Sequence, residues 1–262
     1  MKTKIKTVLK TIWISGLSTI TKLLAQTLRA DGFKDINTIR MAFIEVPIEY
    51  LLINFFIFVA LTILFIFINE QIPTYKLIKG VVYGLIVTVF WTALRFQPNI
   101  FENFMQNLID IIVFSIPMII YGVFLGYLAS DKTTTFKFSK KQISSLIISL
   151  GWLLIHLIYM IFVPPAKGQI FNYIIWLLTA SIIIGIIFGF FYQLSLKCKY
   201  NTLLINALIV MVMFSSYYAY RFSIVNKFDL MLFIRVLLDI ISVLLSIQFI
   251  ELYLGRPKNS KT

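Results

Sequence analysis

The sequence predicts an all-α, polytopic bundle of membrane-crossing helices, and three observations carry that prediction. Only 13% of the 262 residues are charged, about half the ~25% usual in a soluble domain. The apolar residues, 60% of the chain, come in unbroken blocks instead of alternating with polar ones. Each block approaches the ~20 apolar residues needed to span a bilayer. Finally, most Lys and Arg residues fall in the short stretches between blocks, where cations set topology and meet anionic headgroups.

Seven blocks qualify as crossings. They cover about 50–69, 77–96, 111–130, 142–164, 171–196, 200–220 and 230–250. The first is uncharged throughout. The second carries Lys79 and Arg95 near its ends, where long side chains snorkel toward headgroups. The fourth contains the chain's one histidine, His156, and the seventh alone has charges well inside it, Arg235 and Asp239. Residues 43–262 therefore read as a single membrane domain.

Residues 1–42 form a basic leader of different character. Ile12, Trp13, Leu17, Ile20, Leu23, Leu24 and Leu28 share one helical face, and Thr11, Ser15, Ser18, Lys22 and Gln26 share the opposite one. That pattern predicts an amphipathic helix, most simply lying in the membrane interface with its polar face toward water. If it crosses instead, the count becomes eight, and Lys22 must be buried against other helices. The stretch is too polar to be the apolar core of a cleaved signal peptide. Asp31-Gly32 marks a turn after it.

The later blocks carry a weak internal repeat of three helical hairpins. The second helix of each has two small residues four apart: Gly122 and Gly126, Gly185 and Gly189, Ser242 and Ser246. Gly80 and Gly84 make a further pair. Such strips predict close helix–helix packing, within the chain or between chains.

The cations favour one orientation of the hairpins. Lys76, Lys79, Lys132, Lys137, Lys140, Lys141, Lys197, Lys199, Arg256, Lys258 and Lys261 lie between hairpins or at the carboxyl end. Only Arg95, Lys167, Arg221 and Lys227 lie within them. The positive-inside rule then places the carboxyl terminus in the cytoplasm. The expected location is a prokaryotic cytoplasmic membrane, the prokaryotic origin resting on the richness in Ile, Lys and Phe.

Ionisable groups at membrane depth are costly, so each is a candidate for function. Arg235 and Asp239, four residues apart, share a helix face and can pair. Asp110, with Asn107, reads as an N-terminal cap of the third block or as a cavity mouth. His156 is an interhelical hydrogen-bonding group, or a proton relay if another helix supplies an acid. Glu45 and Glu49 flank Pro47, with Arg40 nearby to relieve their repulsion.

Several function classes are disfavoured. The charge of +13 is explained by the membrane-flanking loops, so nucleic acid is not an expected partner. One cysteine, Cys198 between Lys197 and Lys199, allows no intrachain disulfide and gives no Cys/His nucleophilic site. No metal-ligand spacing, nucleophile elbow or nucleotide-binding loop appears, so neither metal nor cofactor is expected. The leading expectation is a small-solute or ion transport component, permease-like and without its own ATPase. The alternative is a non-enzymatic membrane partner of regulatory, assembly or immunity type, or a homo-oligomer. An intramembrane enzyme built on Glu45, Glu49 and His156 comes third. Anionic lipid is the expected companion of the basic loops.

Overall fold

A computed structural model describes residues 2–31, 48–95, 104–130, 143–166, 168–196, 201–225 and 230–253. Among them the chain is helical, with no strand. The eight α-helices are α1 (Lys2–Asp31), α2 (Ile48–Ile68), α3 (Lys76–Arg95), α4 (Phe104–Leu128), α5 (Ile143–Phe162), α6 (Ile170–Ser195), α7 (Thr202–Val225) and α8 (Leu230–Tyr253). Runs of Ile, Leu and Phe would favour strands in water. In lipid the backbone must satisfy its own hydrogen bonds, and a helix does so within one segment. Seven helices among the described residues are long and apolar enough to cross a membrane. The protein is therefore a multi-pass membrane protein.

Local chemistry sets the helix ends. Beyond α2 a short 3-10 turn, Asn69–Gln71, tightens the exit. The buried Asn69 side chain donates to the Ile66 carbonyl at 2.7 Å, filling one acceptor left open by the helix terminus. Pro164 and Pro165 follow the end of α5, where proline cannot continue the helical hydrogen bonds. Gly168 before α6 has φ +86°, a left-handed conformation that glycine adopts without Cβ strain. At the α6–α7 turn, Asn206 Nδ2 donates to Ser195 Oγ at 2.6 Å and to the Thr202 carbonyl at 2.8 Å, so one buried amide holds the turn.

Among the described residues, six of the seven spans fall on blocks read from composition, and Lys6–Ala25 of the leader is the seventh. The third block lies in α4, a continuous helix of 25 residues. Helix α4 starts at Phe104, so Asn107 and Asp110 lie inside it and not at its N-cap. The side chain of Asp110, the Asp31-Gly32 turn, Arg40, Glu45 and Cys198 lie outside the described residues. Glu49 is exposed in the first turn of α2.

Helix α1 is inverted relative to expectation. Thr11, Ser15, Ser18, Thr19 and Lys22 are buried, while Ile12, Trp13, Leu17, Ile20 and Leu24 are exposed. The 3.6-residue spacing separates the two faces as expected except at Leu23, which is buried, and the polar face packs inward, against α2 and α4. The cost is limited because hydroxyls can bond within their own helix. Thr11, Ser18 and Thr19 donate to the carbonyls of Thr7, Ile14 and Ser15 at 3.0, 2.7 and 2.8 Å. An outward apolar face and an inward polar one suit a helix surrounded by lipid, not one floating at the interface.

The described chain divides into two units. The first comprises residues 1–92, 103–136 and 215–228, so the leader belongs with α2, α3, α4 and the end of α7. Its core is Phe58, Leu61, Phe65, Tyr83, Phe90 and Tyr121. Tyr83 Oη donates to the Leu61 carbonyl at 2.9 Å, and Thr62 and Tyr121 share a hydroxyl contact at 3.1 Å. Helices α3 and α4 meet glycine on glycine. A Cβ built on Gly122 would stand 2.6 Å from the Gly80 carbonyl oxygen, and one on Gly126 2.5 Å from that of Leu77. This close approach seals the first turn of α3, and Lys79 is fully buried there, not snorkelling.

The second unit comprises residues 93–102, 137–214 and 229–262. Helix α5 packs on both α6 and α8. Gly185 and Gly189 lie against Ser145 and Ser149 of α5, and Ser149 Oγ donates to the Ser181 carbonyl at 2.7 Å. Ser246 receives Gly151 of α5. The small pairs of the first two hairpins thus face their own hairpin partners, whereas Ser246, in the third pair, meets α5. The three hairpins do not share one packing scheme.

Candidate functional site

The buried polar centre of the second unit sits where α5, α6 and α8 converge. Trp152 and His156, one turn apart on α5, stack ring on ring with centroids 3.8 Å apart. Asp239 reaches them from α8. Its Oδ1 accepts the Trp152 indole N–H at 2.7 Å and lies 3.0 Å from His156 Nε2. All three residues have 0% exposure.

A proton count constrains this cluster. His156 Nδ1 lies 2.9 Å from the Trp152 carbonyl oxygen, which can only accept. When Nδ1 carries the hydrogen, the short Nε2–Oδ1 approach needs a second proton, as imidazolium facing carboxylate or as imidazole facing carboxylic acid. The Nε2 hydrogen-bond geometry is nonetheless poor. The ring is thus close to the carboxyl but off the ideal line, and it is held there by the stacked indole and the Nδ1 contact.

Arg235, one turn before Asp239 on α8, sets its guanidinium 5.0 Å from the centroid of the Trp176 ring. Trp176 is nearly perpendicular to Trp152 at 6.0 Å, and its indole N–H donates to the Ala93 carbonyl at 2.8 Å. This indole is thus anchored by a backbone acceptor while its face receives a cation. The structure brings His156, Arg235 and Asp239 into one neighbourhood. Asp239 is an acid from another helix that lies beside His156.

Sequence reasoning missed Trp176 as part of the site and gave Trp152 no role beyond its place one turn before His156. The i, i+4 spacing of Trp152 and His156 was the available signal, although it does not indicate which helix faces the pair. Among the described residues, no group of three or more His, Cys, Asp or Glu is placed to hold a metal ion.

The first unit holds a second polar centre. Lys22 is 2% exposed, and its Nζ donates to Asn54 Oδ1 at 2.5 Å. The ammonium lies 3.9 Å from the Tyr220 ring centroid, 5.1 Å from that of Trp91 and 5.9 Å from that of Phe58. Asn54 in turn donates to the Tyr50 carbonyl at 2.7 Å, which orients its oxygen toward the lysine. Asn54 was legible as one of the few polar residues in an otherwise apolar block.

No protein-family model, curated protein sequence or solved structure matches this chain. Function therefore rests on the chemistry of these centres.

Proposed function

We propose that the protein is a membrane transport component in which a small solute or ion moves in step with a proton held by His156 and Asp239. The observation that supports this reading is the fully buried Asp239 carboxyl shared by a histidine and an indole N–H. A structural ion pair would suit well-aligned hydrogen bonds and no spare capacity. Here the contact of the histidine with the acid is short but misaligned. Arg235 lies one turn before Asp239 on the same helix, and its contact with Trp176 places a cation close by. The protein brings no nucleotide-binding loop, so a gradient is the energy source open to the chain alone.

The glycine strips bear on the alternative, a partner subunit that docks through small residues. Gly80, Gly84, Gly122, Gly126, Gly185 and Gly189 are each filled by another helix of the same chain.

The test is a flux measurement in proteoliposomes that enclose a pH-sensitive dye and carry an imposed proton gradient. Pulses of alkali cations, and then of pooled small amines, amino acids and sugars, are applied in turn. One pulse is expected to change the lumenal pH in wild type, with the rate falling about tenfold or more in His156→Gln and Asp239→Asn. Equal rates in those variants, or silence of wild type toward every pulse, removes the reading.

The orientation proposed with this function is eight crossings, α1 included, with both termini in the cytoplasm of a prokaryotic cell. The outward apolar face of α1 supports it. A membrane-impermeant thiol reagent added to intact cells is expected to miss Cys198 and also a cysteine placed at Lys4. Labelling of either from outside reverses the arrangement.

A further inference from the structure

The charges around Asp239 decide which kind of solute a proton can accompany. Among the described residues, the charged and titratable groups of this neighbourhood come from four helices. They are His156 and Tyr159 on α5, Tyr173 beside Trp176 on α6, Arg95 two residues past Ala93 at the end of α3, and Arg235 and Asp239 on α8. Asp239 is the one acid among them. The next described acid of this unit, Glu251, is twelve positions further along α8.

Arg235 lies within the span Leu230–Tyr253 and is half-buried, with its guanidinium against the face of Trp176. Its i, i+4 spacing from Asp239 puts the two on one face of α8. When His156 is neutral and Asp239 ionised, the carboxylate balances the guanidinium, and the three groups together carry no net charge. One proton added to the His156–Asp239 pair ends that balance. It leaves a positive charge inside the span, where an unmatched charge is costly. Without Arg235 the same two states would be negative and neutral, which suits a cation that leaves as the proton arrives. Arg235 moves them to neutral and positive, which suits an anion that arrives with the proton.

We infer that Arg235 is the binding residue for a small carboxylate anion, which it takes up beside Trp176 when the His156–Asp239 pair holds its extra proton. The planar guanidinium matches a carboxylate with two parallel hydrogen bonds. The assignment rests on the proton-linked transport reading and names its substrate class: proton and anion cross together.

Proteoliposomes enclosing a pH-sensitive dye are given solutes in pairs of similar size, glutamate against glutamine and glucuronate against glucose. With an inward proton gradient, at least one anion is expected to acidify the lumen of wild type about tenfold faster than its neutral partner does, the scale of one hydrogen bond to a charged group. Arg235→Gln removes the difference. Arg235→Lys, which keeps the charge without the planar fork, retains part of it. Asp229→Asn, at the residue before α8 in sequence, leaves it intact. Infrared spectra at one fixed pH give a readout that needs no transport. By the reciprocity of linked binding, the active anion is expected to increase the carboxylic-acid carbonyl band in wild type and not in Arg235→Gln. Acidification with cations or neutral solutes alone leaves the transport reading in place and overturns this inference. Silence toward every solute removes both. An anion preference that survives in Arg235→Gln, or that is lost in Asp229→Asn, also overturns it.

Discussion

Asp239→Ala is expected to destabilise the protein by about 3–5 kcal/mol, the cost of removing one partner from a buried charged pair. The carboxyl of Asp239 is the acceptor for the Trp152 indole N–H at 2.7 Å and the acidic neighbour of His156 at 3.0 Å. Truncation leaves both in a site with 0% exposure, where neither protein nor lipid offers a replacement. Asp239→Asn should behave differently. Its amide oxygen still accepts from Trp152, so the stability loss should be closer to ~1–2 kcal/mol, but the group can no longer exchange a proton. Thermal unfolding of both variants in the same lipid separates a packing role from a protonation role. Equal unfolding temperatures for wild type and Asp239→Ala would mean that the carboxyl is solvated and that the buried site is misdescribed.

Gly122→Ala should strongly destabilise the contact between α3 and α4. The three atoms nearest its built Cβ are the Gly80 carbonyl oxygen at 2.6 Å, Val81 Cα at 3.0 Å and the Gly80 carbonyl carbon at 3.1 Å. All are backbone, so relief requires the α3–α4 pair to separate along its length. Overpacking typically costs about 1–3 kcal/mol, and a rigid neighbour on every side puts this site at the upper end. Gly16 supplies the control, because its built Cβ meets nothing within 4 Å. Gly16→Ala should be neutral or stabilising by up to ~1 kcal/mol, since alanine restricts the unfolded chain and favours helix. In nanodiscs the unfolding curve of Gly122→Ala is expected to fall to lower temperature, while that of Gly16→Ala stays in place or rises. A tolerated Gly122→Ala would show that the two helices are further apart than described.

The contrast between sequence and structure is sharpest in α1. The spacing of Thr11, Ser15, Ser18 and Lys22 marked one face, and that of Ile12, Trp13, Leu17 and Ile20 the other. The face that turns inward depends on the surrounding solvent, which a single helix does not declare. In water the polar face turns out; among lipid tails it turns in. The glycine strips were legible for the same local reason. Which helix fills each strip was not, because the match of Gly151 to Ser246 joins positions far apart in the chain.

The functional centre followed that pattern. The i, i+4 spacing of Arg235 and Asp239 was visible, and it suggested a pair within one helix. The partners that Asp239 takes from α5 are a tryptophan and a histidine 87 and 83 positions away. No local periodicity encodes that meeting. Lys22 was recognisable as a cation that must be buried if its helix crosses, but its aromatic surroundings come from three other helices, α2, α3 and α7.

The central claim, that His156 and Asp239 hold an exchangeable proton inside the membrane, has a direct spectroscopic test. Infrared difference spectra of the reconstituted protein are recorded between about pH 5 and about pH 9, the range over which histidine ordinarily changes charge. A carboxylic-acid carbonyl band that rises and falls reversibly in wild type, shifts in His156→Gln and is missing from Asp239→Asn is the predicted result. A spectrum that does not change with pH, or a band that persists in Asp239→Asn, contradicts the claim.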